Sequence, residues 1–152
     1  MKRRRIGQYA LLLLVQTGAV AIILWQGIPV YRRILAGSFD GPNARPTALI
    51  LATFAVVVIQ GAYWFRVANI PSLQLPRHIL LSHLVLFAGR FSFIFGAALF
   101  TAVMYLRFPE LEKSILRAAV LVGVLFSMFC YSLELEWLAA ELNGGRSVTT
   151  SV

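Results

Sequence analysis

Arg90 is the residue of this chain whose type and place point most directly to chemistry. It is the one charge in the 28 residues from His78 to Tyr105. Twelve residues into that run, at 1.5 Å per residue, it would lie about 18 Å deep in a membrane-spanning helix. A guanidinium there costs at least ~2.5–3.5 kcal/mol, so it is expected to face protein or water and to have a partner. His83 lies seven residues before it and Thr101 eleven after it. At about 100° per residue both return to nearly the same face, with Ala97 between them, so one stripe of this helix is polar.

The following apolar run carries its own stripe, Ser127, Cys130, Tyr131 and Glu134, at i, i+3, i+4 and i+7. Two such helices running antiparallel would let Arg90 extend toward Glu134 by snorkelling along the helix. An Arg90–Glu134 ion pair is therefore expected. Glu136, about 200° around the helix from Glu134, is the less favoured partner. The simplest role for such a pair is glue between helices. Contact with a substrate, a lipid headgroup or a partner subunit is the first alternative, and a proton or ion relay the second. The candidate binding or interhelical polar network is Arg90, Glu134, His83, Thr101 and Ser127.

Other chemistry is thinly represented. His78 and His83 are five residues apart, about 140° around one helix, so they cannot bracket a haem iron between facing helices. A single histidine ligand, or a site shared with another subunit, stays open. No Cys/His cluster exists, and no metal site is expected. Cys130 is the one cysteine, which rules out an intramolecular disulfide and makes it most simply a small buried hydrophobe. Gln16, Thr17, Gln26, Thr53 and Gln60 are neutral polar residues inside apolar runs, expected to make interhelical hydrogen bonds. There is no G-x-S-x-G elbow, H-E-x-x-H pair or P-loop, so no catalytic residue and no enzymatic activity is expected. No resident cofactor is expected either. Bound lipid is, with haem, quinone or pigment as open alternatives.

The elements that position these residues follow from composition. The chain has 152 residues, 59% hydrophobic and 13% charged, with a mean hydropathy of +0.78. Soluble domains carry roughly 25% charge. That difference excludes a soluble globular protein, a disordered chain and a disulfide scaffold. The net charge of +8 sits at the edges of the apolar runs, where Lys and Arg meet lipid headgroups, so nucleic acid is not an expected partner.

Four runs are long enough to span a membrane. Gly7–Tyr31 follows Lys2-Arg3-Arg4-Arg5, and with Ala19-Val20-Ala21 it resembles a cleavable secretory signal. The run continues through Ile22-Ile23-Leu24-Trp25, so it is read as a retained helix. A linker with a turn at Asp40-Gly41-Pro42-Asn43 leads to Thr47–Phe65, which closes with Tyr63-Trp64-Phe65 and then Arg66, an ending expected at a headgroup boundary. Residues Val67 to Arg77 alternate Ile70, Leu73 and Leu75 with polar positions and are expected along the interface. After the third run, Pro109 suits the first turn of a fourth helix, with Glu110 and Glu112 at its positive end. Asn143-Gly144-Gly145 stops that helix.

The expected fold is an all-α integral membrane protein, four transmembrane helices in an up-down bundle. Its helices cover about 7–31, 47–65, 78–105 and 114–138 within a single domain, 1–142, and a polar tail, 143–152, is expected to be disordered. Ridges of small residues, Ala88-Ser92-Gly96 and Ala119-Gly123-Ser127, would let the third and fourth helices approach closely. Four spans place both termini on one side. Seven basic residues flank that side and six the other. The N-terminal cluster decides for cytoplasmic termini, in a bacterial inner membrane.

Short loops, abundant aromatics and the lack of catalytic motifs point to a non-catalytic subunit of a larger respiratory, photosynthetic or transport complex, with the bilayer and other membrane subunits as partners. A small homo-oligomeric transporter or channel, using Arg90 for an anionic substrate, is the alternative. A quinone- or haem-associated redox protein is the third. In size and topology the chain is similar to the small membrane subunit of tripartite transporters and to several respiratory accessory subunits, a likeness that rests on no motif.

Overall fold

The computed structural model describes residues 2–37, 46–70, 75–112 and 114–144, with the side chains of 2–5 and 107–111 left out of the description. These residues form four helices: α1 (Lys2–Leu35), α2 (Pro46–Asn69), α3 (Ile79–Glu112) and α4 (Ile115–Leu142). Each contains a segment long and apolar enough to cross a membrane. At 1.5 Å per residue the shortest, the 24-residue α2, spans about 36 Å against a hydrocarbon core of about 30 Å. The protein is an all-α integral membrane protein.

The helices run up, down, up and down. Tyr9 and Thr17 of α1 meet Trp137 and Tyr131 of α4 in antiparallel order. Gln60 and Arg66 of α2 meet Ser127 and Glu134 of α4 in parallel order. Ser82 of α3 donates to the carbonyl of Ala139 at 2.7 Å, and Gly96 lies against Met128, so α3 and α4 are antiparallel. Helix α4 packs on both α2 and α3, which make no contact with one another among the described residues, and α1 closes the circuit against α2 and α3. Half of the most apolar window of α4 is buried, against 28% for α1 and 17% for α2 and α3. Helix α4 is the centre of the bundle.

Small residues set these approaches. A Cβ on Gly96 would come within 2.8 Å of Met128 Cγ, and one on Gly89 within 3.3 Å of the backbone oxygen of Ser132. Together with Ser82 they form a ridge on α3 with seven-residue spacing, turned toward α4. The expected Ala88-Ser92-Gly96 ridge is therefore corrected: Gly96 belongs to the contact, but Ala88 is exposed. On α4, Gly123 faces Val56 of α2 and Ser127 faces Gln60 of α2. The small ridge of α4 thus serves α2, while its Met128, Ser132 and Leu135 serve α3. The retained first helix packs into the core through Ala19, Val20 and Ile23.

The helices are longer than the uncharged runs. Arg32 and Arg33 extend α1 and suit the negative end of its dipole. Helix α3 continues to Glu112, so Pro109 does not open α4. A proline past the first turn forfeits one backbone hydrogen bond and its ring crowds the carbonyl four residues back, and α3 ends within a turn of it. Glu112 accordingly ends α3, and Ser114 precedes α4 with an extended backbone, φ −142°. Asn143 caps α4, and Gly144 takes a φ of +113° that only glycine adopts freely. The turn at 40–43, Leu73 and the tail beyond Gly144 lie outside the described residues. Ile70 is buried and Leu75 partly so. They pack with Tyr9, Leu138 and Leu142 at the end of the bundle.

Two glycines separate close packing from helix propensity. Gly96→Ala is expected to destabilise the detergent-solubilised protein by about 1–3 kcal/mol through overpacking against Met128. Gly61, where nothing lies within 4 Å, should gain about 0.5–1 kcal/mol as Ala. Thermal melts of both variants check the opposite signs.

Candidate functional site

At the end of the bundle that holds the N-terminus of α1 and the C-termini of α2 and α4, one ion pair is sealed inside. Glu134 is 1% exposed and Arg66 8%. Arg66 Nε donates to Glu134 Oε2 at 2.7 Å, and Nη2 pairs with the same oxygen. The guanidinium stands 4.6 Å from the centre of the Trp137 ring and 5.5 Å from that of Tyr63. Such faces attract a desolvated cation by roughly 2 kcal/mol or more. Tyr9 packs on Trp137 at 5.5 Å between ring centres. Its buried hydroxyl is turned toward Glu134 but makes no hydrogen bond of acceptable geometry.

The chain places these groups by simple spacing. Ala55, Ile59, Ala62 and Arg66 are the buried residues of α2, at intervals of 4, 3 and 4, so Arg66 continues the inward stripe of its helix. It is three residues from the end of α2 yet does not turn out to headgroups. The stripe Ser127, Cys130, Tyr131 and Glu134 is buried at every position, and it faces α2 and α1. Gln60 Nε2 donates to Ser127 Oγ at 3.2 Å and to Cys130 Sγ at 3.6 Å. Thr17 Oγ1 and Tyr131 Oη are 3.0 Å apart, and Gln16 Nε2 donates to the carbonyl of Ile59 at 3.4 Å. A polar track thus leads from the middle of the bundle to the Arg66–Glu134 pair. Its groups answer one another, apart from the Tyr9 hydroxyl. Thr53, expected to share this face, instead donates to Leu49 of its own helix and is exposed.

The expected Arg90–Glu134 pair is replaced. Both oxygen contacts of Glu134 with a cation come from Arg66, and the nearest acid to Arg90 is Glu136, with Nε to Oε1 at 3.9 Å. The reason is rotational. Gly89, like Ser82 and Gly96, faces α4, and Arg90, one position on, is turned about 100° out of that contact. Its side chain is 66% exposed and that of Glu136 43%. His83 and Thr101, the other members of the stripe, are exposed as well. The Thr101 hydroxyl is satisfied by the carbonyl of Ala97 at 3.0 Å. So the five candidates divide: Glu134 and Ser127 lie in the interior network, while Arg90, His83 and Thr101 lie on the outer face of α3.

His78 is exposed and its backbone N–H donates to the carbonyl of Leu142 at 2.9 Å, tying the start of α3 to the end of α4. Among the described residues no three of His, Cys, Asp and Glu converge as a metal site would require. Arg66 is the interior residue that the sequence reading missed, and the 4-3-4 spacing behind it was the signal that could have found it. The chain matches no known family, no characterised protein and no solved structure.

Two tyrosines test the interior network. Tyr131→Phe breaks a hydrogen bond and is expected to cost about 0.5–1.5 kcal/mol. Tyr9→Phe removes a buried hydroxyl without a bond and is expected to be neutral or stabilising by up to about 1 kcal/mol. Equilibrium unfolding in mild detergent measures both, and a loss above about 1 kcal/mol for Tyr9→Phe would mean that its hydroxyl supports Glu134.

Proposed function

We propose that this chain is a non-catalytic subunit of a larger membrane assembly, respiratory, photosynthetic or transport, and that it works by packing the α3/α4 face against another transmembrane chain. The observation behind this reading is the outward pair Arg90–Glu136. Arg66 and Glu134 satisfy each other inside the bundle, whereas these two charges stand on the outer surface, 3.9 Å apart and beyond hydrogen-bonding distance. At the centre of the hydrocarbon a charge costs on the order of 2.5–3.5 kcal/mol on insertion scales, and less toward the headgroups or where the side chain snorkels. A second chain bearing matching charges offsets that cost; lipid tails do not.

The surroundings suit such packing. Phe93 and Phe129 meet edge to face across α3 and α4 at 5.8 Å, and with Ile94 and Leu133 they line a shallow groove beside the charges. Aromatic and aliphatic walls around a few charges resemble the centre of protein interfaces more than a lipid-facing surface. Bound lipid fills the remaining apolar faces of α1 and α2. No resident cofactor, catalytic step or nucleic-acid partner belongs to this reading. The Lys2–Arg5 cluster at the start of α1 favours both termini in the cytoplasm, in a bacterial inner membrane.

Extraction from native membranes in a mild detergent, followed by native mass measurement, tests the reading. Foreign chains in fixed stoichiometry are expected, and the assembly should lose mass when Arg90 is changed to Leu. A chain that migrates alone would overturn it, and one that migrates only with its own copies would overturn the larger assembly while leaving the α3/α4 face as a contact between chains.

A further inference from the structure

We infer that the chain burying the α3/α4 face is a second copy of this one, related by a two-fold axis along the membrane normal, with Arg90 of each copy paired to Glu136 of the other. This rests on the reading of that face as an assembly surface and names the partner.

The argument is one of depth. The start of α3 is level with the end of α4, where His78 N–H meets the Leu142 carbonyl. Arg90 lies eleven residues beyond Ile79 and Glu136 six before Leu142, or about 17 Å and 9 Å from that end. The arginine side chain leans back toward the N-terminus of α3, and its Nε comes to 3.9 Å from Glu136 Oε1. The two charged heads therefore share one level. Rotation about the membrane normal preserves depth, so a second copy presents its own acid and base at that same level. A two-fold interface is self-complementary by construction, residue i meeting j and j meeting i. Arg90 stands on α3 and Glu136 on α4, on either side of the groove lined by Phe93, Ile94, Phe129 and Leu133. An axis through the groove sets α3 of each copy against α4 of the other and closes a ring of two acids and two bases, with no net charge. An unrelated partner would have to carry both signs at the matching level; a second copy supplies both.

The test uses the full chain in native membranes, with Ile94, which is 65% exposed, changed to Cys and coupled to a benzophenone maleimide. Cys130 is 2% exposed, so the parent chain gives the background. Irradiation is expected to yield an adduct of two copies, near twice 16.9 kDa. Arg90→Glu makes the face wholly acidic and Glu136→Arg makes it wholly basic. Each alone should lower the two-copy adduct by at least about tenfold through like-charge contact. Co-expression of the two, under different epitope tags, should restore a mixed adduct, which also shows that both variants fold. A two-copy adduct indifferent to these reversals would overturn the pairing. Adducts with foreign chains alone would overturn the second copy and leave the assembly surface standing. Adducts with lipid alone would overturn both.

Discussion

The hydrocarbon core offers no water to a polar group, so each one must find its partner within protein. Glu134 is where this bears hardest. A carboxylate with almost no surface has lost its hydration, and replacing that hydration requires a cation at hydrogen-bonding distance together with a polarisable wall. Arg66 supplies the first, and Trp137 and Tyr63 supply the second for Arg66 itself. Because the cation comes from α2 and the anion from α4, these two helices, parallel and distant in sequence, are fixed in register. Gln60 with Ser127 and Cys130 repeats that register two turns away.

Once α4 is tied to α2 by charge, its other side is free for α3, and small residues decide how near α3 comes. Gly89 and Gly96 admit the side chains of Leu135 and Met128, and this dry contact needs no charge. The ion pair and the glycine ridge thus occupy opposite sides of one helix. A consequence falls on Arg90. Its neighbour Gly89 is one of the points of close approach, so the arginine is carried past the edge of the contact and out of the bundle. The same rotation that packs α3 well leaves its polar stripe facing away from its own chain.

The membrane architecture was legible because uncharged runs of this length permit few other structures. So was the interior face of α4, since Ser127, Cys130, Tyr131 and Glu134 fall on one side at helical spacing and all proved buried. What spacing within one helix does not contain is the rotation of that helix about its axis relative to its neighbours. The stripe on α3 was found as a stripe, but it points outward. Arg66 was misread for a related reason. An arginine after Tyr-Trp-Phe near a helix end has the composition of a headgroup anchor, and only its place behind Ala55, Ile59 and Ala62 distinguishes it. Helix ends depart from expectation because a charge does not stop a helix: Arg32 and Arg33 continue α1, and α3 runs on past Tyr105 to end at Glu112.

The central claim is that Arg66 and Glu134 form the pair on which the single chain depends, while Arg90 and Glu136 do not hold it together. Double-mutant cycles on the isolated chain in detergent measure this directly, with Arg66→Met and Glu134→Gln for one pair and Arg90→Gln and Glu136→Gln for the other. A coupling on the order of 2–3 kcal/mol is expected for the buried pair, and about 0.5 kcal/mol or less for the exposed one. Equal couplings, or the larger value for Arg90 with Glu136, would contradict it.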